Sequence, residues 1–418
     1  MSDLLQERAR GAAHDPQYLF GQWNIDYEKR VDFDRLRRER IDRIHASIQD
    51  ADTDIGALLL YHPDLIRYVT SSRYLTLAGY PRFFRYALIP RGRPPILFEI
   101  AGAEMDHRLM TAPWLKGRIR PAIIWNYAGP ATEALAQRWV DDLKAVLQEE
   151  GVQGKKLAVD RIDLPMFQAL QRAEIEVVDA WPIVNSATKV KTRDELELLK
   201  TAAAIMDAAF YRAEQAIAPG VRECDLYGIV AQTLVTMGIE YVPGVVVASG
   251  GHTLPYLRDC TDKMIRYGDL VIIDIWGQYA GYHTDSCRTF ICGEPTAEQR
   301  RLYRQCLDML ERVIGTVRPG ATTADVARAL EVDVDDRYKT LSMLQFAHGL
   351  GVTLHDPPLV TRGYSLEYPM MIEANMYMAA ETYASDGMQG VRLERDFVVT
   401  DDGIQPFDLY PWDRKLLG

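Results

Sequence analysis

The stretch that decides the fold is DLVIIDIWGQYAGYHTDSCRTF, residues 269–290. Its first apolar run predicts a buried strand ending at Asp274, and Gly277 and Gly281 predict a turn that folds a second strand back on the first. Asp274 and Asp285 would then face each other across the pair. Because an unpaired buried charge is costly, such an acid is normally paired, hydrogen-bonded or bound to a metal. The alternative is a loop acid and a turn acid without a shared function.

Three later segments add side chains of the same kind. Residues 348–358, HGLGVTLHDPP, hold two of the eight histidines between glycines and prolines. Residues 377–381, YMAAE, are an apolar run ending in a carboxylate, and residues 391–399, VRLERDFVV, alternate as a strand. Each segment alone is a weak signal, but the ordered set supplies four carboxylates and one imidazole. These suit two divalent ions about 3.5–4 Å apart, and the candidate ligands are Asp274, Asp285, His348, Glu381 and Glu394.

Length and composition exclude several classes of protein. The 418 residues predict two or three domains, and a hydrophobic content of 48% allows a sizeable core. With 48 Lys and Arg against 59 Asp and Glu, the net charge of −11 argues against nucleic acid or an anionic membrane surface as the main partner. Five cysteines without a CxxC pair indicate reduced thiols. Because there is no signal peptide and no apolar run near the ~18 residues of a membrane span, we expect a cytoplasmic protein.

Hydrophobic patterning divides the chain into three parts. An N-terminal arm is expected at residues 1–35 and a first α/β domain at residues 36–188. A second domain is expected at residues 189–418, because Thr192 and Glu195 form a capping-box pattern that opens a long helix. The fold class is therefore α/β (α+β). The patterns before residue 189 predict a helix at 33–49, strands at 55–61 and 156–160, a hairpin at 86–100 and a helix at 132–151.

The second domain contains an internal echo. Residues 218–226, APGVRECDL, match residues 318–326, RPGATTADV, and each follows a long amphipathic helix. Asp225 and Asp325 each lie six residues after the proline and are the expected N-caps of the next helices. Two such units predict pseudo-symmetry, although two ordinary helix–turn–helix connections explain the pattern equally well.

The set of motifs resembles the pita-bread superfamily of metalloenzymes, which includes methionine aminopeptidases, Xaa-Pro aminopeptidases, prolidases and creatinase. The resemblance covers about residues 192–418 and extends to the smaller domain before it, as in prolidase, aminopeptidase P and creatinase. It implies a creatinase-like N-terminal domain followed by a pseudo-twofold catalytic domain.

The resemblance also implies how the ligands are shared. Asp274 and Asp285 would bind one ion. Asp285 and Glu394 would bridge both ions. The ligands of the second ion would be Asp285, His348, Glu381 and Glu394.

Other implications concern the substrate, the metal and the assembly. His355 matches a histidine that contacts substrate and stabilises the tetrahedral intermediate, and Arg392 matches an arginine often found two residues before the last ligand. Oxygen-rich ligation suits manganese, while the imidazole keeps iron, cobalt and zinc open. A homodimer is expected from the family.

One position departs from the peptidase pattern. The peptidases carry a further active-site histidine before the first ligand, in a Leu-Pro-His context, where this chain has Tyr256 or Leu257. His252 lies four or five residues earlier, so whether His252 or Tyr256 replaces that histidine stays open.

A second resemblance is to the dimethylsulfoniopropionate lyases on the same fold. It is carried by residues 19–23, residues 62–68 and the tail at 410–413. Those lyases have an extra Asp two residues after the first ligand, where this chain has Trp276. The resemblance to the lyases is therefore incomplete as well.

Three functions follow. The first is a dinuclear Xaa-Pro dipeptidase or aminopeptidase, in which a metal-bridged hydroxide cleaves the amide of a dipeptide or small amide, Glu381 shuttles protons and His355 stabilises the oxyanion. The alternative is a lyase that cleaves a carbon–sulfur bond of a small zwitterion. The third is a binding protein without catalysis, against which the intact ligand set argues. The candidates for substrate contact are Arg392, Tyr256, Trp276, Tyr282 and His252, and the three aromatic residues would either box a cation or simply pack.

Overall fold

The computed structural model describes residues 31–73, 84–330 and 345–418. The chain divides into two compact units, residues 1–188 and 189–418. The expected arm at residues 1–35 lies outside the described residues as far as residue 30, and its last three residues belong to a helix instead. The lyase-like segment at 19–23 also lies outside the described part.

The first unit is built on a six-stranded mixed sheet. Its strands are β1 (Ile55–Leu60), β2 (Tyr86–Pro90), β3 (Ile96–Glu99), β4 (Ile119–Pro121), β5 (Lys156–Val159) and β6 (Val177–Asp179). Their order is β4-β3-β2-β1-β5-β6, with β1 antiparallel to β2 and parallel to β5. All six residues of β1 are buried because the strand is apolar throughout and central in the sheet.

Six α-helices accompany this sheet in the described part of the unit. The predicted helix at 33–49 begins after the N-cap Asp32, whose carboxylate accepts the N–H groups of Asp34 and Arg35. The hairpin at 86–100 and the helix at 132–151 are confirmed within two residues. The helices are α1 (Phe33–Ala51), α2 (Pro63–Thr70), α3 (Ala103–Thr111), α4 (Thr132–Glu149), α5 (Leu164–Arg172) and α6 (Trp181–Thr188).

The second unit contains two antiparallel sheets and five α-helices among its described residues. One sheet comprises β7 (Tyr241–Ser249), β8 (Leu270–Tyr279) and β9 (Tyr282–Ile291), in that order. The other comprises β10 (Gln345–Gly349), β11 (Asp356–Thr361), β12 (Tyr377–Ser385), β13 (Gly390–Val399) and β14 (Ile404–Pro406), in the order β11-β10-β12-β13-β14. The helices are α7 (Arg193–Ala216), α8 (Glu223–Thr236), α9 (Ala297–Thr316), α10 (Thr323–Ala329) and α11 (Arg414–Leu417).

The internal echo has a structural counterpart. After α7, the Gly220 N–H donates to the carbonyl of Ile265, and after α9, the Gly320 N–H donates to that of Ile372. Both glycines have positive φ, 92° and 84°, which other residues adopt only with strain. The two Pro-Gly turns therefore dock in the same way in both halves of the unit.

The expected N-caps of the helices after these turns were wrong. The N-caps are Arg222 and Thr322, three residues before the acids. Asp225 and Asp325 occupy the third helical position, and their carboxylates accept the N–H groups of those N-cap residues at 3.0 and 2.9 Å. An acid at this position completes a capping box, a pattern that also fits the sequence spacing.

β8 and β9 form the predicted hairpin, but its turn is shorter than expected. The two strands pair from Leu270–Ile291 to Tyr279–Tyr282, so only Ala280 and Gly281 form the turn, both with positive φ. Gly277 lies inside β8 instead, where an added Cβ would approach Ile239 Cδ1 at 3.3 Å. A two-residue turn with positive φ matches the twist of the strands it joins.

Side chains join the two sheets at β9 and β13. The Thr289 hydroxyl donates to the Arg392 carbonyl at 2.7 Å and accepts the Arg392 N–H at 3.0 Å. The Arg288 guanidinium donates to the Glu394 carbonyl at 2.6 Å. These contacts bring the acids of the first sheet next to those of the second.

Two further expectations bear on the class of protein. All five cysteines are free in the structure, in agreement with the expectation of thiols. Across the described ranges, the helices are too short or too polar to span a bilayer.

Candidate metal centre

The two acids of the β8–β9 hairpin lie on one face of their sheet. Asp285 pairs with Trp276 and Asp274 pairs with Cys287, so the acids are diagonal neighbours, not direct partners. Asp274 is fully buried and Asp285 is 4% exposed. The hairpin therefore brings together the acids that its sequence predicted.

Two more acids face each other in the second sheet. Glu381 on β12 and Glu394 on β13 are direct partners in the antiparallel register. Their exposed fractions are 2% and 0%. In this register, the alternation of β13 turns Leu393 to the hydrophobic core and Glu394 to the acids.

His348 completes the group from β10. Its Nδ1 lies 2.9 Å from the Gly349 carbonyl, so Nδ1 carries a proton and Nε2 points to the acids. Nε2 lies 3.9 Å from carboxylate oxygens of Asp285 and Glu381 and 3.8 Å from one of Glu394. A histidine held in this way by a backbone carbonyl is typical of metal ligands.

The buried atoms of this group fit a cation. Asp285, His348 and Glu394 place one ligand atom each within 4.8 Å of one another. Leaving buried polar atoms unpaired costs free energy, which divalent ions would recover. Atoms buried without a hydrogen-bond partner among the described residues are Asp274 Oδ1, Asp285 Oδ1, His348 Nε2, Glu381 Oε1 and both carboxylate oxygens of Glu394.

The electrostatics of the acids agree with this fit. Burial and the charge of Glu394 raise the pKa of Asp285 well above its usual range, and burial raises the pKa of Asp274 to about 7. Burial opposes the charged form of His348, but the neighbouring carboxylates of Glu394 and Glu381 outweigh it and raise its pKa to about 9. Negative charge is thus in excess, as expected of a site that binds cations.

Arg392 lies at the Asp274 side of the group. Its Nε is 3.1 Å from Asp274 Oδ2, and its Nη2 contacts Glu381 Oε2. Burial of Glu381 opposes ionisation, but Arg392 and His348 outweigh it and lower the pKa of Glu381. The Tyr256 ring covers the guanidinium, with 4.4 Å between Arg392 Cζ and the ring centroid.

His355 lies at the edge of the group. Its ring centroid is 4.4 Å from that of His348, and its Nε2 is 3.2 Å from Nε2 of Gln345. Partial burial, followed by the charge of His348, lowers the pKa of His355 to about 4. The imidazole is therefore neutral at pH 7.

The other aromatic candidates do not all meet the group. Trp276 lies on the same face of β8 as Asp274, and its ring covers Gly244, where an added Cβ would come within 2.5 Å of it. Tyr282 lies on the opposite face of β9 from Asp285, and its hydroxyl donates to Glu195 at 2.8 Å. The structure therefore brings Tyr256 and Trp276 towards the acids and leaves Tyr282 in the packing beneath α7.

His252 is bound to a different acid. Its Nδ1 lies 3.1 and 3.2 Å from the two carboxylate oxygens of Glu223. The same carboxylate accepts the Ser249 N–H at 2.9 Å and the Thr261 hydroxyl at 2.7 Å. His252 thus belongs to a network around the start of α8.

One acid that supports the group was missed in the sequence. Asp396 is fully buried, and its Oδ2 accepts the Asp285 N–H at 3.2 Å together with the hydroxyls of Thr284 and Tyr377. It therefore holds the backbone of Asp285 from behind. Alternation along β13 was the available signal, because Asp396 follows Glu394 by two residues and therefore lies on the same face of the strand.

Comparison with known proteins agrees with the geometry. Residues 197–401 match the model of metallopeptidase family M24. The probable dipeptidase PepE of Mycobacterium tuberculosis is 28% identical over 242 residues, which cover 57% of this chain and 63% of that protein. The match therefore covers slightly less than two thirds of the length of that dipeptidase.

Two further similarities extend over nearly the whole chain. The dimethylsulfoniopropionate lyase DddP of Roseovarius nubinhibens is 22% identical over 418 residues, covering 96% of this chain and 92% of the lyase. The solved Xaa-Pro dipeptidase from Bacillus anthracis has a TM-score of 0.71 at 22% identity and covers 90% of this chain and 99% of that one. At this identity the likeness to the solved structure concerns the fold.

The second unit therefore matches metallopeptidase family M24, the chain shares the fold of the pita-bread metalloenzymes that its sequence resembles, and the predicted two-domain α/β fold class is confirmed. The M24 metallopeptidase match lies within its second unit, and it includes all five candidate metal ligands.

Proposed function

We propose that this protein is a dinuclear metal-dependent hydrolase of the Xaa-Pro dipeptidase or aminopeptidase type. Its substrate would be a dipeptide or another small amide. The observation that carries the proposal is the buried set of four carboxylates and one imidazole whose inward atoms have no hydrogen-bond partner among the described residues.

The ligands would be divided between two ions. Asp274 and Asp285 would hold one ion, and Asp285, His348, Glu381 and Glu394 the other, with Asp285 and Glu394 shared. The pair of divalent ions would supply a nucleophile at neutral pH and polarise the scissile carbonyl. Manganese suits the predominance of oxygen ligands.

Three side chains around the ligands would serve the reaction. Glu381 has a lowered pKa, so it is ionised at neutral pH and can take a proton and deliver it to the leaving amine. His355, neutral at pH 7, can donate an N–H to the developing oxyanion. Arg392 would hold Glu381 in place through the contact between Nη2 and Oε2.

A carbon–sulfur lyase acting on a small zwitterion is the second candidate. It is supported by the DddP match, which covers 96% of this chain, whereas the PepE match covers 57%. An aromatic box for a sulfonium ion would rely on Tyr256 and Trp276. One face of Tyr256 is already covered by Arg392, which is why we place the hydrolase first.

Assembly and location are part of the proposal. We propose a homodimer, as in the two-domain relatives named by the sequence resemblance. We also propose a cytoplasmic location, because all five cysteines are free thiols.

The test is to load the purified protein with Mn²⁺ and assay it separately with Gly-Pro and with dimethylsulfoniopropionate. Release of free amino acids from Gly-Pro supports the hydrolase, and release of dimethyl sulfide supports the lyase. Asp401→Ala, at an exposed acid outside the site, serves as the matched control for Asp285→Ala. Turnover by Asp285→Ala at the rate of the control would contradict both candidates.

A further inference from the structure

A buried ion pair lies behind the loop that carries His355. Lys191 and Asp356 have side chains that are 0% and 4% exposed, and 3.1 Å separates Nζ from Oδ2. The two residues are 165 positions apart in the sequence. Neither has a role in the proposed function.

The carboxylate of Asp356 accepts hydrogen bonds from the loop that precedes it. Its carboxylate accepts the N–H groups of Val352 and Thr353, both at 2.9 Å, and the Thr353 hydroxyl at 2.7 Å. The same hydroxyl lies 3.0 Å from the His355 carbonyl. The residues between β10 and β11 therefore close around one carboxylate.

Lys191 fixes the loop from the other side. The backbone N–H of Lys191 donates to the Asn375 carbonyl at 2.8 Å, and this bond connects Lys191 to the segment before β12. Its stem runs against Gly351, whose φ is +130°, and a Cβ there would come within 2.7 Å of Lys191 Cε. The Gly351 carbonyl accepts the His283 N–H at 2.6 Å, so the backbone of the loop is held at this point too.

The loop ends at the candidate substrate-contacting residue. His355 immediately precedes Asp356, and its ring stacks on His348 at 4.4 Å between centroids. Asp356 begins β11, while His348 belongs to the neighbouring β10. The position of the His355 backbone is thus set by the residue that Lys191 pairs with.

We propose that Lys191 and Asp356 are positioning residues, which hold His355 against His348 at the edge of the metal centre. The contribution of His355 to turnover rests on the proposed function. Its placement by the ion pair rests on the contacts alone.

The test must separate positioning from general stability. Removing one partner would leave the other charge buried and alone, which destabilises most proteins. The variant is therefore the double change Lys191→Met/Asp356→Asn, which removes both charges. Lys189→Met is the matched control. Lys189 lies two residues before Lys191, and the substitution breaks its half-exposed pair with Glu373.

The first readout is the His355 ring itself, followed by ¹H–¹³C NMR of histidine-labelled, zinc-loaded protein. Its signal is identified by its loss in His355→Ala. We expect the double variant to move this signal towards that of the exposed His107 while the signal of His252, which is bound to Glu223, stays in place, and Lys189→Met to leave both signals unchanged. A His355 signal that stays unmoved in a folded double variant would overturn the proposal.

The second readout is a double-mutant cycle on kcat/KM. In the parent protein, the double change should lower kcat/KM at least about tenfold, and in His355→Ala the same change should lower it less than about twofold. Equal losses in both backgrounds would mean a structural role and overturn the proposal. If the parent turns over neither amide nor zwitterion, the proposed function fails, and the NMR comparison still decides the placement of His355.

Discussion

Two buried acids in the second unit show how different partners give the same residue type different roles. Asp408, after β14, and Glu394, on β13, are both fully buried. Asp408 accepts the Arg288 guanidinium at 2.6 Å and the Ser286 hydroxyl at 2.9 Å, and its other oxygen accepts the Asp396 N–H at 3.2 Å. Both oxygens of Glu394 lack a hydrogen-bond partner within the described ranges.

The difference lies in which cation each acid has available. Arg288 brings a permanent positive charge into contact with Asp408, and its guanidinium also stacks on Trp412 at 4.3 Å. Around Glu394, the nearest cationic nitrogens are His348 Nε2 at 3.8 Å and Arg392 Nη2 at 3.9 Å. Asp408 thus belongs to the structure of the domain, whereas Glu394 belongs to the candidate metal centre.

The largest effect is expected from the ligands themselves. Asp285→Ala and His348→Ala should each lose bound metal and lower turnover by at least about 10³-fold, because metal ions contribute several kcal/mol of transition-state stabilisation. Elemental analysis of the purified variants measures the first effect, and kcat/KM the second. If either variant keeps both metals and full activity, the residue that was replaced is not a ligand.

Arg288→Met tests the other half of the comparison. It should lower the free energy of unfolding by about 3 kcal/mol, because it removes the guanidinium that contacts buried Asp408 and leaves Arg395 Nε at 3.6 Å from the other carboxylate oxygen. Urea denaturation measures the loss. The control is Arg301→Met, which breaks an exposed pair with Glu298 and should leave the unfolding midpoint unchanged. Equal midpoints for the two variants would contradict the structural role of the Arg288–Asp408 pair.

The pH dependence of metal binding sharpens the contrast. Without metal, the pKa of Asp274 is raised to about 7 and that of His348 to about 9, so both carry protons at neutral pH and below. Metal binding must displace these protons, and affinity should therefore rise with pH between about 6 and 9, by up to tenfold per unit for each proton released.

Calorimetry of Zn²⁺ binding in two buffers of different ionisation enthalpy counts the released protons. We expect at least one proton per chain at pH 7. If the affinity is independent of pH and no proton is released, Asp274 and His348 do not carry protons in the metal-free protein, and the raised pKa values are wrong.

The smallest effect on stability is expected at Glu223. This buried acid is held by hydrogen bonds from Thr261, Ser249 and His252, without an arginine among the described residues. Burial opposes its ionisation, but hydrogen bonds from Thr261, Ser249 and His252 outweigh burial and lower its pKa. Its stabilisation is therefore fully present above the ordinary glutamate value of 4.5 and is lost as the pH falls through the lowered pKa.

Glu223→Gln should cost about 1–2 kcal/mol of unfolding free energy at pH 7. It should also reduce the acid sensitivity of the unfolding midpoint between pH 5 and 3. A midpoint that falls as steeply with acid in the variant as in the parent would show that Glu223 stabilises no charge-dependent contact.

Much of the candidate metal centre was predictable from the sequence because its signals are local. Apolar runs that end in an acid mark Asp274 and Glu381, and alternation marks Glu394, so the pattern of each strand indicates its own candidate ligand. Tyr282 shows the limit of proximity along the chain. It lies three residues before Asp285, and an odd spacing in a strand places it on the opposite face.

What could not be predicted depends on contacts between distant segments. The pairing of Lys191 with Asp356 and the support of Asp285 by Asp396 exist only after the sheets have formed. Likewise, the contact between His252 and Glu223 exists only once the start of α8 lies beside residues 249–252. Sequence spacing holds no information on which of these contacts forms.

The central claim is that the buried acids around His348 bind two divalent ions. The most direct measurement is the anomalous diffraction of crystals of the full chain loaded with Mn²⁺, recorded at the manganese edge. We predict two anomalous peaks per chain, one between Asp274 and Asp285 and one among His348, Glu381 and Glu394. Loaded protein with no peak at these residues, or with its manganese elsewhere, would contradict the account.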